Sequence, residues 1–305
     1  MPIFNQTVKG GGTTPTGTKN ITANGVYDVT DFASADVQVP TTAPAHYVEK
    51  TVDANGKLQN TANFINLNGV NDIGGQTLSY AYAGTSFPNN TNIDMSSITQ
   101  LTGTSACAYM FLQSSGSINV DMSNVQTITG NSACNSMFQY SGISSIDLSS
   151  LVTLGSYCMV SAFENSSLQH INFPSLTTTG SGTLYAAFRQ CSNLISIKLN
   201  ALNNITGQLS NDSYGAVAGY CSKLETVELG GLTASTFASA VNQLQYLFDS
   251  STGQNAPNGC TVHLPSNFDP SDPNHTFDAS TLTGYPTFGG SASYIHVAFD
   301  LPATE

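Results

Sequence analysis

Between residues 65 and 264 one short template recurs eight times: an apolar, a polar and an apolar residue, then further apolar residues at three-residue intervals. It reads Ile65-Asn66-Leu67 with Val70 and Ile73, Ile93-Asp94-Met95 with Ile98 and Leu101, and Val120-Asp121-Met122 with Val125 and Ile128. Ile146-Asp147-Leu148 follows with Leu151 and Leu154, then Ile171-Asn172-Phe173 with Leu176, where Thr179 breaks the last column. Ile197-Lys198-Leu199 with Leu202 and Ile205, Val227-Glu228-Leu229 with Leu232, and Val262-His263-Leu264 complete the series, at steps of 28, 27, 26, 25, 26, 30 and 35 residues. A fixed period in this range is the mark of a solenoid, in which each unit buries its apolar face only against its neighbours. Successive side chains of a strand alternate faces, so the outer two residues of each triplet point inward and the middle one outward. The expected fold is therefore a mainly β solenoid of about eight rungs forming a curved parallel sheet, with short helical or irregular segments on its convex side.

A second set of columns supports this packing. Phe111, Phe138, Phe163 and Phe188 each precede their strand by eight or nine residues and are expected to fill the convex side as core. The six cysteines (Cys107, Cys134, Cys158, Cys191, Cys221, Cys260) form no CxxC and follow the repeat instead, so Cys107 with Cys134 and Cys191 with Cys221 would stand one rung apart, within reach of a disulfide, but reduced, buried core residues are expected.

The phrases Phe188-Arg189-Gln190-Cys191-Ser192-Asn193-Leu194 and Gly219-Tyr220-Cys221-Ser222-Lys223-Leu224 lead directly into strands. Here the chain resembles the BspA-type leucine-rich repeat, over about residues 60–265. The resemblance implies a curved solenoid used for adhesion or recognition, and no catalytic site.

The segments outside the array divide as follows. Residues 1–19 are Gly- and Thr-rich towards their end and are expected as a flexible attachment segment. Residues 20–40 read as a small β module: Ile21–Ala23 and Val26–Val29 flank the turn pair Asn24-Gly25, and a third strand covers Asp36–Val39. Residues 41–60 are expected as linker, 61–265 as the solenoid, and 266–305 as a C-terminal cap over the open end of the core. The run from Gly17 to Val29, with Ala33-Ser34-Ala35-Asp36-Val37, resembles a short module of bacteriophage tail, fibre and baseplate proteins. It implies a virion component anchored by its N-terminus. The first residues, Met1 to Thr7, show no basic stretch followed by an apolar one, so no signal peptide is expected.

Charge narrows the partners. Seven Lys plus Arg against nineteen Asp plus Glu give a net charge of −12, which argues against binding nucleic acid or docking on an anionic membrane. No apolar run approaches the roughly 18 residues of a membrane span.

The outward positions of the triplets, Asn66, Asp94, Asp121, Asp147, Asn172, Lys198, Glu228 and His263, are the candidate ligand-binding residues on the concave face. Strands about 4.8 Å apart would bring Asp94, Asp121 and Asp147 into a carboxylate ladder. A cation, raised pKa values or hydrogen-bond donors must relieve its repulsion, and Ser96, Ser123 and Ser149 stand two residues on as donors. The ladder is read either as a cation- or sugar-binding strip or as a solvated acidic face. Lys198 and Glu228 are expected to form an exposed cross-strand pair. No nucleophile motif, P-loop, metal-ligand spacing, pocket-forming insertion or aromatic rim accompanies these acids, so no enzyme activity, metal or cofactor is expected.

The resulting expectation is a phage fibre or adhesin on tail or head, located in the virion. Its partners would be other virion proteins through the N-terminus and a host cell-surface glycan or protein. A purely structural decoration protein and a BspA-type bacterial surface adhesin are the rivals. Homo-oligomer formation stays open, since no heptad pattern appears.

Overall fold

The computed structural model describes residues 71–73, 78–87, 89–210, 215–233, 236, 244, 246–269, 271, 288–291 and 293–304, together with four two-residue strands nearer the N-terminus. Those four form two pairs: β1 (Lys19–Asn20) runs parallel to β2 (Val37–Gln38), and β3 (Thr51–Val52) runs antiparallel to β4 (Leu58–Gln59). β2 falls within the third strand expected at 36–39, and β3 and β4 fall within the expected linker. The hairpin about Asn24-Gly25 and the first triplet, Ile65-Asn66-Leu67, lie outside the described residues.

From residue 71 onward the chain is a β-solenoid, mainly β and almost without helix. Its first strand file comprises β5 (Thr91–Asp94), β7 (Ile118–Asp121), β9 (Ile143–Asp147), β11 (His170–Asn172), β13 (Ser196–Lys198), β15 (Thr226–Glu228), β16 (Cys260–Pro265) and β17 (Ile295–Leu301). The second holds β6 (Gln100–Leu101), β8 (Thr127–Ile128), β10 (Thr153–Leu154), β12 (Thr178–Thr179) and β14 (Asn204–Ile205), all parallel in one five-stranded sheet, which counts about five turns.

The register pairs like with like. Ile93, Val120 and Ile146 stand side by side, as do Ile171, Ile197, Val227 and Val262. Hydrogen bonding divides the first file into a three-stranded and a five-stranded sheet between β9 and β11. The division coincides with the shortest step of the repeat, 25 residues from Ile146 to Ile171. Next to it, β9 carries a register shift opposite Ile118 and Asn119. Within the expected cap segment, β17 pairs parallel with β16 and so extends the same sheet.

Over residues 78–190 the segments expected as short helices or irregular chain form a regular third wall of turns instead, whereas Thr236, between β15 and β16, is helical. Ser105, Cys107, Tyr109 and Phe111 donate their N–H groups to carbonyls of the next coil, whereas Ala106, Ala108 and Met110 donate three residues back within their own. An α-helix would satisfy every interior N–H internally; this backbone sends every second one to its neighbour. The geometry requires a left-handed residue at every fourth position: Ser105, Tyr109 and Gln113 in one coil, Ser132, Ser136 and Tyr140 in the next, then Tyr157, Ser161 and Asn165. None of these is β-branched, in keeping with the steric penalty of positive φ. The resulting four-residue period turns pairs inward: Ala106-Cys107 and Met110-Phe111, then Ala133-Cys134 and Met137-Phe138, all buried.

The phenylalanine column fills this wall as expected. Tyr82, Phe111, Phe138, Phe163 and Phe188 are fully buried and stack ring on ring along the axis, with centroids 5.5, 5.2, 5.3 and 5.4 Å apart. All six cysteines are buried free thiols. Cys191 and Cys221 donate to the carbonyls of Phe163 and Phe188, each at 2.9 Å. Burial pushes the Cys107 thiol up to about 12, far from reactive thiolate.

Two features of this packing are testable. Thr179 stands between Leu154 and Ile205 in the second sheet, fully buried, and its hydroxyl has no hydrogen-bond partner. Thr179→Val removes an unsatisfied polar atom at nearly constant shape, and should raise stability by about 1 kcal/mol in denaturant unfolding. By contrast, a Cβ on Gly142 would lie 1.9 Å from the carbonyl oxygen of Gly116 in the preceding coil. Gly142→Ala should therefore lower stability by about 1–3 kcal/mol in the same measurement.

Candidate functional site

The outer face of the first strand file carries the residues predicted from the triplets. In register they run Asp94–Asp121–Asp147 on one sheet and Asn172–Lys198–Glu228–His263 on the other. Asp94, Asp121, Asp147 and Asn172 are exposed; Lys198, Glu228 and His263 are half-buried. Asn66 lies outside the described residues.

The carboxylate ladder is relieved by hydrogen-bond donors from its own chain. Each aspartate accepts the backbone N–H two residues on, from Ser96, Ser123 and Ser149, at 2.9 Å. Asp94 also accepts the Ser96 hydroxyl at 2.6 Å. These bonds close a turn directly after each strand, so the aspartates fix the corner between the two strand files as well as facing solvent. The Ser96 hydroxyl, followed by its backbone N–H, holds the Asp94 carboxyl below the usual carboxylate range. Among the described residues no three His, Cys, Asp or Glu are grouped to hold a metal ion.

The other sheet is paired sideways by charge. Lys198 Nζ lies 2.7 Å from Glu228 Oε1, the predicted cross-strand pair, and Asn200 Nδ2 donates to Glu228 Oε2 at 2.5 Å. Burial raises the Glu228 pKa, but the Lys198 and Asn200 hydrogen bonds and the charges of Lys198 and His263 outweigh it and leave it lowered. His263 Nδ1 sits 2.8 Å from Asp300 Oδ1, a partner on β17 that the triplet pattern does not reach.

A second outward column, two residues before the first, is absent from the sequence prediction. Asn119 donates to Asn92 at 3.2 Å and accepts from Ser145 at 2.8 Å, while His170 Nδ1 and Ser196 Oγ lie 2.9 Å apart. Strand alternation from the triplets alone would have located it, because the residue preceding each inward Ile or Val must also face outward. The face is thus two parallel files of polar side chains, most of them bonded to a neighbour one coil away.

Comparison of the chain with models of known protein families, with characterised proteins and with solved structures gives no match.

The Asp94 geometry fixes a pH response. A carboxylate depressed in the folded state contributes stability that is present above its unfolded pKa and lost as pH falls through the folded one. Ser96→Ala should move the Asp94 titration midpoint up towards the ordinary value of 3.8, read by NMR of its side-chain carboxyl. It should also lower stability at neutral pH, and leave a smaller acid-side loss that is complete at higher pH than in the wild type.

Proposed function

We propose that the chain is a non-catalytic bacteriophage virion protein, a fibre or adhesin of tail or head. In this reading residues 1–40 attach it to the particle, and a leucine-rich-repeat array of the BspA type, about eight rungs long, is displayed for host-surface recognition. The observation that carries the reading is the unit register of the strand file, which presents one polar side chain per coil in long rows, from Asp94 to Asp147 and from Asn172 to His263. Such rows suit many weak polar contacts made at once, and copies on one particle multiply them. The resemblance of residues 17–37 to a tail and fibre module supports attachment through the N-terminus.

One observation favours the structural rival. Lys198, Glu228, His263 and Asp300 are already paired with one another, as are Asn92, Asn119 and Ser145, so much of this face is satisfied without a ligand. A decoration protein that contacts only other virion proteins needs no more than that.

Antibody raised against the full chain should decorate intact particles in electron microscopy, and the purified chain should bind host cells and slow particle adsorption. Label on uninfected bacterial envelopes and none on particles would contradict the virion assignment. Labelled particles with no cell binding by the chain would favour decoration.

A further inference from the structure

The outer surface of the turn wall differs in kind from the strand face. Each of six successive coils places one tyrosine there: Tyr80, Tyr109, Tyr140, Tyr157, Tyr185 and Tyr220. Tyr80, Tyr140, Tyr157 and Tyr220 are 43%, 47%, 43% and 47% exposed, and with Val152 they are the exposed large hydrophobic residues among those described. Five of the six tyrosines occupy left-handed positions, with φ of 59° at Tyr80 and Tyr109, 57° at Tyr140, 55° at Tyr157 and 60° at Tyr220. Glycine or asparagine would fill such positions at lower backbone cost.

The rings are seated. Tyr80 and Tyr109 stack at 4.6 Å. A Cβ on Gly182 would lie 2.3 Å from the Tyr157 ring, and one on Gly215 would lie 2.1 Å from the Tyr185 ring, so in each case the missing side chain in the next coil makes room for the tyrosine. The Arg189 guanidinium sits 5.1 Å from the Tyr220 ring centre and is held by Glu164 at 2.9 Å. Glu164 is bonded in turn by Gln139 at 2.8 Å. Gln113, Asn165 and Gln190 stand in the same left-handed column as Tyr140 and Tyr220, and Asn165 Nδ2 donates to Gln190 Oε1 at 3.5 Å.

We propose that this tyrosine wall is a second ligand-contacting surface beside the strand face and that its ligand is an uncharged polysaccharide. The inference rests on the display reading and names its ligand class and its face. Charge selects the ligand. The wall's cation, Arg189, is neutralised by Glu164, the exposed Lys223 stands beyond the wall where the chain turns into β15 and donates to Asn193, and the protein's net charge of −12 repels an anionic chain. Tyrosine offers a rigid apolar ring face with a polar tip, and the neighbouring amides donate and accept. Sugar rings need that combination: C–H faces stack on the aromatic ring while hydroxyls bond to amides and phenols. Tyr80 and Tyr109 share one column of the wall, Tyr140 and Tyr220 another, and Tyr157 stands in a third, so a polysaccharide lying across the wall meets several rings at once.

The test is affinity electrophoresis of the full chain through gels containing dextran, amylose or yeast mannan, with heparin and polygalacturonate as charged comparisons. The wild type should be retarded by at least one neutral polymer and by neither polyanion. A triple variant, Tyr140→Asn, Tyr157→Asn and Tyr220→Asn, removes three rings where asparagine suits the backbone. It should keep or raise the unfolding midpoint while its apparent affinity falls about tenfold or more. Equal retardation of this variant, no retardation by any neutral polymer, or retardation only by polyanions overturns the proposal. Host-cell binding is measured in parallel. Loss of binding after periodate treatment of the cells supports it. Binding that survives the triple variant, or that is lost only on protease treatment, sinks the tyrosine wall and leaves the display reading standing.

Discussion

No coil of this protein can satisfy its own backbone. On the turn wall every second N–H is donated to the next coil, as from Cys107 to Ala133 and from Phe111 to Met137, and both strand files pair between coils throughout each sheet. A coil on its own would leave these backbone groups to water and bury little apolar surface, so it would gain too little to offset the entropy of ordering its chain. Folding must therefore be cooperative along the axis, as in other one-dimensional arrays. The stacked rings from Tyr82 to Phe188 reinforce the same direction, since Phe111, Phe138 and Phe163 are each covered by the ring before and after.

That dependence explains which parts of the structure were legible in the sequence. Inward residues repeat because their neighbours in adjacent coils must match, and hence Ile93, Val120 and Ile146 align both as text and in space. The phenylalanine column was legible for the same reason. The turn wall was not, because its four-residue period of paired inward residues reads almost like the 3.6-residue period of an amphipathic helix. What separates them is the run of left-handed residues at every fourth position, and Ser, Tyr, Gln and Asn announce that conformation far less clearly than glycine does. The partner of His263 was hidden differently: Asp300 arrives on a strand with no triplet of its own, 37 residues away.

Outward residues answer to a looser rule. The strand face shows how a low-charge surface is kept ordered: acids close turns through their own backbone, and the remaining charges bond to a neighbour one coil away. Such exposed pairs contribute about 0–1 kcal/mol each, too little to hold the fold. Their value lies in register, because a coil displaced by one residue would set Lys198 against Val227 or Leu229 instead of Glu228.

The two outer faces consequently stand in different states. On the strand face, hydrogen-bonding capacity is largely spent within the protein, and a ligand would have to break Lys198–Glu228 or Asn92–Asn119–Ser145 to gain equivalent bonds. On the turn wall the exposed rings stand at left-handed backbone positions, and Tyr80, Tyr140, Tyr157 and Tyr220 stay 43%, 47%, 43% and 47% exposed even where Tyr80 stacks on Tyr109 and Arg189 sits over Tyr220. Contact with a partner gains more where less must first be undone. The in-register polar rows therefore meet a ligand by exchanging one set of bonds for another, and the scattered tyrosines, one to each coil, add contacts for which less has to be broken.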